Sequence, residues 1–191
     1  MSSRESDFSE LRDRLRHGRT LSPAGFEPIF YLVFPPAEIL SVKRLTPTWQ
    51  VRLEHDGWQV RCFSIAEHVR AIFAAHRLRP FWLKADRTAP LEFARANESL
   101  TNALSGSNGL LARMQAALEE TQGRGDVLLL VTDLEALHPY LRIGVLEGQL
   151  QGKFHVPTVF LYPGIRTGKT NLRFLGFYPA DGNYRSVHIG T

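Results

Sequence analysis

DVLLLVTDLEALHPYLR, residues 126–142, joins a wholly apolar run to a cluster of ionisable groups, and its reading decides the fold. Val127 to Val131 is continuous rather than alternating, which suits a strand covered on both faces in a parallel sheet. Asp133, Glu135 and His138 follow at once. In open parallel sheets the carboxyl ends of strands are where binding sites collect. Carboxylates and an imidazole there are candidates for a metal or acid–base site. They also suit plainer work, since Asp133 stands where a helix N-cap is wanted and Pro139 limits the regularity of the helix that follows.

Outward from that strand, apolar runs and helical patterns alternate. Ile29 to Phe34 reads as a first buried strand stopped by Pro35 and Pro36, with a helix starting at Pro36 and broken or restarted at Pro47. Gly57 ends that region and Gln59 to Phe63 forms a second strand. Ser64 and Glu67 make a capping box, and Ile65, Val69, Ile72 and Phe73 mark the buried face of the helix after it. Residues 78–90, with Pro80, Phe81, Trp82 and Pro90, read as an irregular crossing. A helical insertion runs over about 89–122, turned by SGSNG at 105–109. Helical residues 134–151, a strand over 157–162 and a last strand over 172–178, paired antiparallel with its predecessor, complete the chain. The pattern predicts an α/β three-layer domain over 1–191 with a mainly parallel central sheet of about five strands flanked by helices. A short helix over about 7–17 precedes it. There Phe8, Leu11 and Leu15 lie at helical spacing and pack on the body or on a partner.

Bulk properties narrow the classes of function. With 43% hydrophobic and 22% charged residues the 191-residue chain has the composition of an ordinary globular domain, long enough to bury a core without metals or disulfides. The lone Cys62 lies in a strand-like run and reads as a buried thiol in a reducing compartment. No segment approaches the roughly 20 apolar residues of a membrane span. The first residues lack the apolar core of a secretory signal, so cytoplasmic residence is expected. The formal charge of +4 is unevenly spread: residues 43–87 carry nine Lys or Arg against four acids, and residues 88–151 carry four against eight. Such polarity favours a charge-complementary partner as much as nucleic acid.

Enzyme motifs find little support. Gly168-Lys169-Thr170 imitates the end of a phosphate-binding loop, but only three residues separate its glycine from Gly164, Pro163 precedes them, and the sequence after it is strand-like. In P-loop NTPases the phosphate loop follows the first strand, and a later apolar strand ends in a Mg²⁺-positioning acid. VLLLVTDLE can stand for that later strand. The position after the first strand holds Phe34-Pro35-Pro36-Ala37-Glu38, which has no glycine or lysine and lacks two amide donors. A fold of that type is therefore degenerate, without a functional phosphate loop. His17, His55, His68, His76, His155 and His188 show no metal-ligand spacing, so neither a metal nor another cofactor is expected. Basic residues interleave with aromatics at Arg77, Arg79, Phe81, Trp82, Lys84 and Arg87, and Arg166, Lys169 and Arg173 form a second set. Both are candidate nucleic-acid or partner surfaces, and equally solvated faces.

Several phrases carry a family resemblance. LEALHPYLR at 134–142, VPTVFLYPG at 156–164 and LRFLGFYP at 172–179, with EPIFYLVFPPAEIL at 27–40 and GNYRSVHI at 182–189, resemble the BrxB family of bacterial BREX phage-exclusion operons. The likeness spans nearly the whole chain. Its motifs carry no catalytic assignment. Related systems contain a PglZ-type protein, a large AAA-type ATPase and an adenine-specific DNA methyltransferase, so the resemblance implies a part in blocking phage DNA. It suggests a non-catalytic adaptor docked on the PglZ-type component. The alternatives are a direct DNA-binding module and, third, a nucleotide hydrolase.

Overall fold

Ser3–Gly18 forms helix α1, and Ile29–Phe34 forms strand β1, all six of whose residues are buried. A single 3-10 turn at Pro36–Glu38 leads into α2, Ile39–His55, followed by β2, Gln59–Ser64, and α3, Ile65–Ala75. Then come α4 (Arg79–Thr88), α5 (Phe93–Ser105), α6 (Leu110–Glu119) and β3 (Val127–Thr132). A 3-10 turn at Leu134–Leu137 precedes α7, Ile143–Gln149. Four strands close the chain: β4 (Thr158–Thr167), β5 (Asn171–Phe174), β6 (Asp181–Gly182) and β7 (Val187–Gly190). This computed structural model describes residues 3–18, 27–168, 171–182 and 186–190.

The sheet runs β2-β3-β4-β1-β7, with every neighbour along that path parallel. Its central strands are apolar on both faces because both are covered. Phe30, Leu32 and Phe34 of β1, with Leu128 and Leu130 of β3, pack under α1 and α2. Ile29, Tyr31, Val33, Val127, Leu129 and Val131 face the opposite layer, with α3, α6, α7 and the end of α5. This is the three-layer α/β arrangement with a mainly parallel sheet that the alternation of elements predicts.

Several elements differ from the sequence reading. Pro47 neither breaks nor restarts α2, which runs through it to His55. Trp49 and Leu53, buried beyond the proline, hold the last turns against the sheet. Residues 79–88 are a helix and not an irregular crossing, because Pro80 sits in the first turn, where a missing N–H costs nothing. The helix expected over 134–151 is a 3-10 turn and a short helix, divided by a cis His138–Pro139 bond. The strand expected over 172–178 stops at Phe174, and Leu175 takes a positive φ of 51°. It pairs antiparallel with the far end of β4, as expected, so the fifth parallel strand is β7 at the other edge. Cys62 is exposed and not buried, since β2 is an edge strand with one neighbour.

The N-terminal helix packs on the body. Phe8, Leu11 and Leu15 are almost completely buried, and Phe8 stacks on Trp49 with ring centroids 4.8 Å apart. Asp56, at the end of α2, accepts from Arg12 Nε at 2.6 Å and from Arg16 Nη2 at 2.8 Å. The apolar face of α1 is thereby covered by the chain's own core.

Candidate functional site

The carboxyl ends of β1, β2 and β3 open into a cleft of about 340 Å³. One wall is a stripe of α2: Ile39, Val42, Lys43, Thr46, Pro47 and Gln50, at the spacing of one helical face. The other wall carries Cys62, Ser64, Glu67, Thr132, Asp133 and Glu135, over an apolar floor that includes Phe34 and Leu161.

Asp133 organises the polar wall. Its backbone is left-handed, φ 61° and ψ 37°, a conformation that aspartate tolerates better than most residues. Its side chain makes no N-cap hydrogen bond and turns back over the strand ends. Oδ2 accepts from the Ser64 hydroxyl at 2.6 Å and the Thr132 hydroxyl at 2.9 Å, while Oδ1 faces Lys43 Nζ at 2.7 Å. The same ammonium lies 2.6 Å from Glu135 Oε1. Burial pushes the Asp133 carboxyl up, but hydrogen bonds from Lys43, Ser64 and Thr132 outweigh it and hold the group below its ordinary value. Burial likewise works against the Lys43 charge, and its two carboxylates reverse the effect and raise its pKa. Ser64 has a second role, accepting from the Glu67 amide as the N-cap of α3.

Of the three polar residues at the strand end, Asp133 and Glu135 therefore meet through Lys43. His138 does not join them. It is exposed beyond the 3-10 turn, with Nδ1 2.6 Å from the Tyr178 hydroxyl and its ring edge-on to Phe177. Lys43 was missing from the sequence reading. The signal that could have found it is the i, i+3, i+4, i+7 run from Ile39 to Gln50, where polar side chains share a helical face with apolar ones. Cys62 lines the same cleft, its thiol donating to Gln50 Oε1 at 3.6 Å. Partial desolvation of the sulfur against the cleft wall, with Asp133, Glu54 and Glu67 nearby, pushes that thiol up and away from the nucleophilic thiolate. No group of three or more His, Cys, Asp or Glu arranged to hold a metal occurs among the described residues.

The basic sets lie elsewhere. Arg77, Arg79, Lys84 and Arg87 are exposed along and just before α4. Trp82 is engaged inside the chain, stacked on His76 at 4.7 Å and donating from Nε1 to the Ser99 hydroxyl at 2.9 Å. Arg166 and Arg173 are exposed on the β4–β5 hairpin, where Arg166 Nη1 donates to the His188 carbonyl at 2.9 Å. The GKT imitation is flanked by two strands, not by a strand and a helix, since Thr167 of β4 pairs antiparallel with Asn171 of β5. Lys169 itself lies outside the described residues.

Fold and site together define a three-layer, mainly parallel α/β domain whose carboxyl-end cleft is lined by a Lys–dicarboxylate cluster. The profile of the family described as BREX protein BrxB matches residues 82–189, more than half of the chain. The chain belongs to the BrxB family and is a component of BREX antiphage defence. No curated protein and no solved structure matches it. Among the described residues no helix is long and apolar enough to cross a membrane.

Proposed function

We propose that this chain is a non-catalytic adaptor of a BREX complex that docks on the PglZ-type component. One observation carries the non-catalytic half: the acids ending β3 are both ion-paired to Lys43 of the chain's own helix α2. A hydrolytic site of P-loop type needs those acids free for Mg²⁺ and needs amide donors after β1. Here β1 is followed by Pro35 and Pro36. β1 and β3 flank β4 in the sheet, which supports reading the scaffold as a pseudo-NTPase. Titration calorimetry with ATP or GTP and Mg²⁺ is expected to give no binding heat, and measurable affinity would overturn that reading.

The adaptor half is supported by what the chain leaves uncovered. With α1 packed on the body, the basic and aromatic face at 77–87 becomes the docking surface. Expression of the complete operon with an affinity tag on this chain tests it. A stoichiometric PglZ-type protein retained at low and physiological salt is expected. A chain that returns alone, or with DNA that nuclease removes, sinks the adaptor and favours the DNA-binding module, for which the exposed Arg77, Arg79, Lys84 and Arg87 speak. Asp133→Asn keeps the left-handed backbone and the hydrogen bond from Ser64, so full phage defence is expected from the folded variant. Defence lost in a folded Asp133→Asn protein would point to catalysis.

A further inference from the structure

The chain reverses between α4 and α5 and leaves a groove of about 420 Å³ between the two helices. Small side chains make it. Ala85, Ala89, Ala96 and Ser99 line it where larger residues would have closed the helix pair. Trp82 anchors one end through Ser99, and no residue of α4 is buried. A ten-residue helix is marginal without packing on at least one face.

The apolar residues around this helix pair are turned outward. Of the ten large hydrophobic residues exposed among the described residues, four fall between residues 81 and 93: Phe81 at 69%, Leu83 at 42%, Leu91 at 88% and Phe93 at 62% exposed. Single exposed apolar residues are ordinary, and a cluster rimmed by charge marks an interaction surface. The rim is basic. Arg77, Arg79, Lys84, Arg87 and Arg95 are exposed there, and none is in an ion pair among the described residues. Arginines of α1, by contrast, are paired with Asp7, Asp56, Glu10 and Asp13.

We infer that the α4–α5 groove receives an amphipathic helix of a partner protein, with apolar anchors entering between the helices and acidic residues facing the arginines. The inference rests on the adaptor reading and gives it a surface. Helix-in-groove recognition uses anchors at i, i+3 or i+4, and i+7, which about ten residues over about 15 Å supply. Charge complementarity selects an acidic segment, and the rim cations steer its approach. A phosphate backbone would use the cations alone, leaving Phe81, Leu91 and Phe93 against water, and Trp82 is already committed to His76 and Ser99.

The test uses the full chain, tagged and purified with nuclease from cells expressing the whole operon. The double variant Phe81→Glu/Leu91→Glu is expected to lose the PglZ-type protein at least tenfold, while Phe177→Glu, at an exposed aromatic outside the groove, retains it. Backbone amides of α4 and α5 in the wild-type complex are expected to gain protection from hydrogen exchange. Should the double variant fail to fold, Lys84→Glu/Arg95→Glu carries the same expectation with exposed positions only. Retention of the partner by these folded variants, or unchanged exchange at α4 and α5, overturns the groove and leaves the adaptor standing. A wild-type chain without any protein partner overturns the adaptor reading itself.

Discussion

Lys43 Nζ stands 2.7 Å from Asp133 Oδ1 and 2.6 Å from Glu135 Oε1, in the place where a pair of acids would otherwise hold a cation. Removing it leaves two like charges close together, one of them half-buried. Lys43→Met is expected to cost about 1 kcal/mol at neutral pH, a modest figure because Lys43 is itself partly exposed and solvent screens the pair. The pH dependence has a definite sign. The Asp133 carboxyl lies below its ordinary value in the folded protein, so its stabilisation is complete above the unfolded value of about 4 and disappears as pH falls through the folded one. Urea midpoints of wild type and Lys43→Met should therefore converge as the pH is lowered through that range, and an unchanged gap would refute the role given to Lys43. The acids of this cluster were legible in the sequence because they follow an apolar run directly. Lys43 was not, since it stands 90 residues before Asp133 and only the parallel order of β1, β2 and β3 brings the two together.

At the scale of elements, two contacts fix the periphery of the sheet. Arg12 and Arg16 of α1 clamp Asp56, and the hydrogen bond from Arg12 in particular lowers its carboxyl to about 2. An aspartate lowered from about 3.9 contributes stability above that value and loses it as the pH falls through the folded pKa. Asp56→Asn should lower stability at neutral pH by about 1 kcal/mol, allowing for the exposed half of the clamp. It should also flatten the acid limb of the unfolding curve between pH 4 and 2, as thermal melts across that range would show. The second contact is β7 on β1. Gly190 has φ +88°, and a Cβ there would stand 2.3 Å from the Val33 carbonyl oxygen. Gly190→Ala is expected to cost about 3 kcal/mol through backbone strain and displacement of the edge strand, read as a fall in melting temperature. β7 escaped the sequence reading because Val187 to Gly190 is four residues long and half-buried, with no apolar run to announce it. α4 escaped for another reason: its prolines punctuate the helix rather than interrupt it. The Ser64 cap of α3 and the SGSNG turn were readable because their chemistry is local.

For the molecule as a whole, the formal charge of +4 matters less than where the cations stand. The alternation of strands and helices announced a parallel three-layer domain, whereas the order β2-β3-β4-β1-β7 depends on long-range packing that no local pattern encodes. That order puts the acidic cleft at the carboxyl ends of β1, β2 and β3 and leaves four cations, Arg77, Arg79, Lys84 and Arg87, exposed along and just before α4. The adaptor and DNA-binding readings assign those cations to different partners, and salt separates them. If all four met phosphates of a duplex, log Kobs would fall against log salt with a slope of about −3.6, so affinity would drop roughly a hundredfold between 50 and 200 mM salt. Four contacts without base readout or aromatic stacking do not sustain binding at the upper end. Fluorescence anisotropy of the isolated chain with a labelled duplex is therefore expected to show weak binding at low salt that disappears near physiological ionic strength, while the protein complex persists there because apolar burial at Phe81, Leu91 and Phe93 is not screened. Submicromolar duplex binding at physiological salt, lost on replacing these four cations, would transfer the surface to DNA and displace the adaptor reading.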